Sequence, residues 1–188
     1  MTPLDRIHLE VRTCRNCRLC ESRTHAVPGE GPPDAKVLVL GEAPGQMEDE
    51  AGRPFVGPSG ALLRNLLNRA GVVNPFITNV VRCRPPGNRD PSPDEMKACR
   101  TFTDRQFTEL RPNVVITAGR FATWQATRQY GPLDALMEQE LSWFSDPETR
   151  VVPIYHPSYL LRMMSDDKVK AKELLQATIE RIASATKS

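Results

Sequence analysis

The chain has 188 residues, of which 39% are hydrophobic and 26% charged, as expected for one globular domain with a single core. A formal net charge of +2 excludes a strongly basic surface of the kind that binds nucleic acid without specificity. No apolar stretch approaches the roughly 20 residues of a membrane span, and the N-terminus lacks the apolar core of a signal peptide. We therefore expect a cytoplasmic protein with no membrane association.

The N-terminal part predicts a helix followed by a cysteine-rich knuckle. A Thr-Pro start with Asp three residues later gives residues 2–12 the pattern of a capped helix. Cys14, Cys17 and Cys20 then follow in a C-x2-C-x2-C arrangement. Disulfides are rare in the cytoplasm, so these cysteines indicate a metal or a cluster rather than cross-links. A Pro- and Gly-rich linker, residues 28–33, leads to the first strand.

The first strand, residues 37–40, stops abruptly at a loop that extends to residue 57. This loop is so rich in Gly and Pro that we expect neither helix nor strand in it. Glu42 directly follows the strand, where an α/β sheet opens its binding crevice. An ordinary loop with a solvated Glu would also explain this stretch taken alone. Four small residues would let a ligand approach the backbone: Gly41, Ala43, Gly45 and Gly57.

From residue 59 the chain alternates helices and strands. Residues 131–149 show no clear pattern, and Pro153 indicates that the last strand is an edge strand or is bulged. Ser59 and Ser92 are the expected caps of two of the helices. Helices are predicted at residues 59–70, 92–110, 121–129, 156–162 and 167–183, and strands at residues 76–81, 113–119 and 151–155.

This alternation predicts a single α/β domain, residues 1–188, with a central, mostly parallel four-stranded sheet flanked by helices. Glu42, Asn79 and His156 each fall at the carboxyl end of a predicted strand, so they should meet at one edge of the sheet with Phe55 nearby. Each has an ordinary explanation when taken alone. Asn79 suits a turn, Phe55 a core position, and a single histidine is usually a surface or hydrogen-bonded core residue. Together they indicate a ligand site.

Two further cysteines extend the N-terminal pattern. Cys83 ends the second strand and Cys99 lies on the helix that follows. Four thiolates, from Cys14, Cys17, Cys83 and Cys99, suit either an iron–sulfur cluster or tetrahedral zinc, and spacing alone does not decide between them. Free buried cysteines are a third explanation. Cys20 is left over in this assignment.

Three motifs resemble those of the family 4 uracil-DNA glycosylases. Residues 41–57, with the sequence GEAPG…ED…GRPFVG, are similar to the first motif of that family. Residues 78–89 are similar to its middle block, and residues 156–162, HPSYLLR, to its last motif. The resemblance runs from about Cys14 to Arg162. It implies a uracil-DNA glycosylase fold and favours a [4Fe–4S] cluster at Cys14, Cys17, Cys83 and Cys99.

The chain departs from the family pattern at two places. Residues 131–150 match no known motif of the family, and Cys20 is an additional cysteine beside the cluster. A related branch that traps uracil-containing DNA covalently carries a His-containing insertion after the middle block. Residues 82–91 contain no His, which argues against that branch.

The resemblance implies that the protein hydrolyses the N-glycosidic bond of deoxyuridine in DNA, which releases uracil and leaves an abasic site. Glu42 is expected to orient the attacking water, and His156 to hydrogen-bond O2 of the departing uracil. Phe55 would stack on the flipped base and Asn79 would read its edge. Glu48 is expected to exclude thymine.

The remaining expected contacts are with the DNA. Gly41, Ala43 and Gly45 would line the site, Leu160 or Leu161 would enter the space that the base leaves, and Ser158 and Arg162 would hold phosphates. We expect a monomer whose partner is uracil-containing DNA and which is associated with the nucleoid. The alternatives are a non-catalytic or covalent uracil-DNA binder on the same fold, and a nucleotide-binding module carrying zinc or a cluster.

Overall fold

A single five-stranded sheet lies at the centre of the computed structural model, which describes residues 1–186. Its strands are β1 (Val37–Gly41), β2 (Phe76–Asn79), β3 (Val114–Ala118), β4 (Leu141–Trp143) and β5 (Asp146–Ile154). The helices are α1 (Pro3–Thr13), α2 (Gln46–Ala51), α3 (Pro58–Arg69), α4 (Pro93–Leu110), α5 (Arg120–Thr127), α6 (Leu133–Met137), α7 (Pro157–Asp166) and α8 (Lys168–Thr186). The strand order is β2-β1-β3-β5-β4, and every neighbouring pair is parallel except β4–β5. The predicted α/β class is confirmed.

The sheet has five strands rather than the predicted four, and β4 is the additional one. β4 lies within residues 131–149, which show no clear sequence pattern. It has only three residues, and its pairing with β5 is irregular after Ser142. So short a strand gives no readable alternation of polar and apolar residues. β4 begins opposite Val151 and does not reach Pro153. β5 lies between β3 and β4, but its carboxyl end, which includes Pro153, extends beyond β4. The edge position that Pro153 indicated is therefore confined to that end of the strand.

Helices cover both faces of the sheet and give the molecule three layers. On one face α1, α4 and α5 bury their apolar sides, and the rings of Phe107 and Trp143 stack there 4.2 Å apart. On the other face α3, α7 and α8 pack on β1, β3 and β5. The strands are therefore apolar along almost their whole length, as in other sheets covered on both faces. None of the helices within residues 1–186 combines the length and apolarity needed to cross a bilayer.

Side-chain capping explains the starts of α1 and α4. The predicted cap of α1 is a capping box between Thr2 and Asp5, and the predicted cap Ser92 forms a capping box with Glu95 at the start of α4. The prediction that Ser59 caps α3 was wrong, because the helix already begins at Pro58, a residue preorganised for the first helical position.

The prediction of a structureless loop over residues 42–57 was also wrong, since α2 lies within it. This helix has only six residues, less than two turns, so its sequence shows no repeated hydrophobic pattern. Gly45 precedes it, and its end is marked by Gly52, which adopts φ +66°. The glycines that suggested a loop are thus the two boundaries of a helix.

Candidate functional site

A pocket of about 410 Å³ opens at the carboxyl edge of the sheet, where β1, β2 and β5 end. The residues that the sequence placed at this edge do converge there. The pocket is lined by Glu42, Ala43, Pro44, Gly45, Glu48, Phe55, Ser59, Asn79, Pro85, Asn88, Arg89, Asp90, His156, Ser158 and Arg162.

Gly41 brings two walls of the pocket together. It pairs with Asn79 across β1 and β2, and the ring of Phe55 lies over it. A Cβ atom at position 41 would stand 2.4 Å from Asn79 Oδ1 and 2.5 Å from Phe55 Cζ, distances that side chains do not tolerate. Only glycine therefore allows the phenyl ring and the amide to share this corner of the pocket.

Phe55 is held in an unusual backbone conformation. Its φ is +52°, in the left-handed region, and its side chain is only 5% exposed. Gly60 makes this possible, since a Cβ there would lie 1.9 Å from the carbonyl oxygen of Phe55. The ring lies 6.3 Å from that of His156, at an angle of 32°. Strain of this kind collects at functional sites, and here it points an aromatic ring into the pocket.

Asn79 carries an unsatisfied polar group. Its side chain is 1% exposed, and within residues 1–186 its Oδ1 has no hydrogen-bond partner. Leaving a buried acceptor unpaired costs about 1–3 kcal/mol, so this oxygen is suited to a ligand that brings an N–H group. Val80 N–H donates to the carbonyl of Gly41 at 2.8 Å and Val81 N–H to that of Glu42 at 3.1 Å, which holds the two strand ends in place.

His156 caps α7 and is fixed in one tautomer. The backbone N–H of Ser158 donates to its Nδ1 at 3.2 Å, and the Ser158 hydroxyl lies 2.8 Å from the same atom. A backbone amide can only donate, so Nδ1 is the acceptor and Nε2 carries the proton. Burial, with a smaller effect of Arg162, lowers the pKa of His156 to about 4. The imidazole is therefore neutral near pH 7, with Nε2–H as its free donor.

The pKa of Glu42 is shifted in the opposite direction to that of His156. Burial, reinforced by the carboxylate of Asp90, raises the pKa of Glu42 to about 7, while Arg120 acts in the other direction. Asp90 and Arg120 form an ion pair of 2.7 Å beside the pocket. A carboxylate that titrates near neutral pH, in a cleft next to a neutral imidazole, is typical of acid–base chemistry.

The acidic pair of the first motif holds the loop together. Glu48 accepts hydrogen bonds from the N–H groups of residues 56–57, both at 2.9 Å, and of Gly45 at 3.1 Å. Asp49 is buried and accepts from the N–H groups of residues 24–25. The sequence did not reveal these ties, because the bonded amides carry no residue-specific signal.

The last motif needs one correction. Leu160 is fully buried between α3, α7 and α8, so it cannot enter a DNA stack as predicted. Leu161, the alternative, is half-buried on the outer side of α7, and Arg162 beside it is exposed. Ser158 faces His156 in this structure, and its contact with a phosphate stays a prediction.

All five cysteines line one narrow cavity between α1, the knuckle and α4. They are free thiols within the part of the chain that is described. Three hydrogen bonds reach their sulfurs: Arg23 Nη1 donates to Cys83 Sγ at 3.1 Å, and the N–H groups of Arg82 and Asn16 donate to Cys99 Sγ at 3.3 Å and to Cys14 Sγ at 3.4 Å. No three His, Cys, Asp or Glu side chains of residues 1–186 are arranged to hold a single metal ion. The donor set, soft sulfur with cationic neighbours, suits a thiolate-bound group.

Glu95 connects the cysteine knuckle with the pocket. Its buried carboxylate binds Arg18 of the knuckle at 2.9 Å and Arg89, which lines the pocket, at 2.6 Å. These partners, Arg89 first, lower the pKa of Glu95 to about 2. Glu95 also closes the capping box of α4 by accepting from the N–H of Ser92, and its distance along the chain from Arg18 gives no sign in the sequence of the second contact.

Comparison with known proteins agrees with the site. The family model for the uracil DNA glycosylase superfamily matches residues 28–182. A type-4 uracil-DNA glycosylase of Sulfurisphaera tokodaii is 39% identical, over 93% of this chain and 86% of that protein. Those of Thermotoga maritima and Pyrobaculum aerophilum are 38% and 48% identical, over 84% and 62% of this chain and 82% and 60% of theirs. The chain therefore belongs to the uracil-DNA glycosylase superfamily and, within it, to the type-4 uracil-DNA glycosylases, as its motifs predicted.

Proposed function

We propose that the protein hydrolyses the N-glycosidic bond between uracil and deoxyribose in DNA. The observation that carries this proposal is the convergence of three groups in one pocket: the unsatisfied amide oxygen of Asn79, the neutral imidazole of His156 and the carboxylate of Glu42 with its raised pKa. Together they suit a planar base with an N–H donor, a leaving group that becomes anionic, and a reacting water.

Asn79 and Phe55 would select the base. A flipped uracil stacked on Phe55 would donate its N3–H to Asn79 Oδ1 and accept at O4 from the amide nitrogen. Cytosine has an acceptor at N3 and a donor at N4, so the same amide would face like groups. Gly41 holds this amide against the ring and so fixes its orientation. We also propose that Glu48, at the pocket wall, crowds the methyl group of thymine.

His156 and Glu42 would act at opposite ends of the breaking bond. As the base departs, negative charge collects on its O2, and the Nε2–H of His156 would donate to that oxygen. Positive charge develops on the sugar, where an ionised Glu42 would stabilise it and orient a water. The neutral imidazole places no proton on the base at the start, so the stabilisation grows only as the charge develops.

Exposed groups around the pocket would hold the DNA. Arg162, which is exposed, and Ser158, at the pocket wall, would contact phosphates, which fix register without reading sequence. Leu161 would fill the gap left by the extruded base. We expect a monomeric protein whose substrate brings it to the nucleoid.

We further propose that Cys14, Cys17, Cys83 and Cys99 hold a [4Fe–4S] cluster. When bound, the cluster would cross-link the knuckle, the segment that follows β2, and α4. The cavity lined by these thiols and the N–H···S contacts of Arg23 and Arg82 support this assignment.

Substitution of single cysteines tests the ligand set. We expect Cys83→Ala to lose the iron and much of the soluble protein, and Cys20→Ala to keep both, since four thiolates suffice. Iron and acid-labile sulfide per chain would be measured for each variant, with Cys99→Ala beside them. Iron lost from the Cys20 variant but kept by the Cys99 variant would show that the ligands are assigned wrongly.

Substitution of Asn79 by Asp tests base recognition. The change replaces an amide, which donates and accepts, by a carboxylate that only accepts when ionised. We expect uracil selectivity over cytosine to fall, with much less change in binding to undamaged DNA. Cleavage of matched uracil and cytosine oligonucleotides would be measured beside the binding. Equal loss of affinity for undamaged DNA would instead make Asn79 a structural residue.

The activity itself is tested with a uracil-containing oligonucleotide, treated with alkali after incubation so that abasic sites break. We expect turnover on this strand and none on the same strand with thymine. Retention of the DNA without release of uracil would favour the uracil-DNA binder. Lack of both binding and cleavage would favour the nucleotide-binding module.

A further inference from the structure

Arg82 is a buried charge held only by neutral groups. Its side chain is 1% exposed. Nη2 donates to Thr103 Oγ1 at 3.0 Å and to Gln106 Oε1 at 2.7 Å, whereas Nε has no partner within residues 1–186. None of the salt bridges in that part of the chain includes Arg82. An ionised group buried without an opposite charge strongly disfavours the folded state.

The cysteine cavity lies directly beside this guanidinium. Arg82 is one of its lining residues, together with Cys83, the next residue in the chain, and Cys99 on α4. Thr103 and Gln106, the two residues that hold its Nη2, are on the same helix as Cys99. Gln106 is itself anchored through its amide to the carbonyl of Pro28 at 2.7 Å. The cation is therefore held rigidly at the wall of the cavity, with no room to move out to solvent.

We infer that Arg82 is the internal counter-cation of an anionic, thiolate-bound group in the cysteine cavity. The inference rests on the proposed cluster, since four thiolates around an iron–sulfur core of charge about +2 leave a net charge of about −2. Arg23 contributes from the other side, where it contacts Cys83 Sγ. The buried charge of Arg82 favours the loaded protein and disfavours the empty one. Because of Arg82, loss of the cluster would also destabilise the fold.

Charge and packing can be separated with two variants. Arg82→Met keeps much of the buried volume but removes the charge and the donors. Arg82→Lys keeps the charge on a shorter side chain with different donors. Arg105→Met serves as a control on α4, the helix that carries Thr103 and Gln106, because Arg105 is more exposed and pairs with Glu10. If charge is what matters, the lysine variant will resemble wild type much more closely than the methionine variant does.

The test measures the rate of iron release from purified, iron-loaded protein to a coloured chelator. We expect release from Arg82→Met to be at least about tenfold faster than from wild type, and release from Arg82→Lys and Arg105→Met to stay within about threefold. Unchanged release from Arg82→Met would overturn the inference, and equal acceleration in both Arg82 variants would reduce Arg82 to a packing residue. Wild-type protein without iron and sulfide would instead overturn the proposed cluster.

A second measurement compares thermal stability with and without iron, because the inference requires Arg82→Met to have opposite effects in the two states. In protein stripped of iron by chelator, the charge of Arg82 has no counter-charge, so Arg82→Met should have a higher thermal midpoint than stripped wild type. In loaded protein the order should be reversed. A methionine variant that is less stable in both states would overturn the counter-cation role. If stripped protein does not fold, the release rates decide.

Discussion

His156→Ala is expected to lower the single-turnover rate of uracil release about 10²–10³-fold, the cost of removing a preorganised donor to a developing oxyanion. The tautomer is already set in the free protein, because Ser158 N–H occupies Nδ1 and leaves Nε2–H for O2 of uracil. The stabilisation grows as the base becomes anionic, so the rate should fall far more than affinity. The measurement is single-turnover cleavage with saturating protein, beside binding to an uncleavable deoxyuridine analogue.

Ser158→Ala is a graded control for this prediction. It removes the hydroxyl that lies 2.8 Å from Nδ1 but keeps the backbone N–H that selects the tautomer. We expect a decrease much smaller than that of His156→Ala. Since burial lowers the pKa of His156 to about 4, protonation of this group should not limit the rate between pH 5 and pH 8. Cleavage by His156→Ala at the wild-type rate would remove the imidazole from the mechanism.

Glu42→Gln is expected to lower the single-turnover rate at pH 8 by about 10²–10⁴-fold, within the range for a positioned acid–base group. The substitution keeps the size and hydrogen bonding of the side chain but removes the charge that opposes the oxocarbenium-like sugar. Binding of the uncleavable analogue should change little. Glu50→Gln is the matched control, because Glu50 lies exposed on α2, away from the pocket.

The pH profile gives the same prediction a second readout. The pKa of Glu42 is raised to about 7, so the active carboxylate predominates above that pH and is lost below it. The wild-type rate should therefore be level at pH 8 and fall about tenfold per pH unit well below 7. The residual rate of Glu42→Gln should lack this dependence. A wild-type profile that is flat through pH 7 would contradict the role assigned to the Glu42 carboxylate.

Local rules made most of the fold predictable. The capping boxes of α1 and α4 and the strands β1 and β3 depend on residues adjacent in the chain, so they could be read from spacing. The sequence did not reveal α2, α6 and β4, which have six, five and three residues and so span less than two periods of their hydrophobic patterns. Their positions depend on contacts outside the segment, such as the Glu48 carboxylate that ties Gly45 to residues 56–57.

The sequence by itself determined that Glu42, Asn79 and His156 reach the pocket, because parallel strands deliver their carboxyl ends to one edge, and each of the three lies at or just after the end of a strand. Only the tertiary structure decided their chemical states. The pKa values of Glu42 and His156 follow from burial, and burial is a property of the packed molecule. The same holds for Leu160: the motif predicted that it contacts DNA, but the packed molecule buries it in the hydrophobic core. It holds most of all for Arg82, whose sequence neighbours give no sign that its charge is enclosed beside the cysteines.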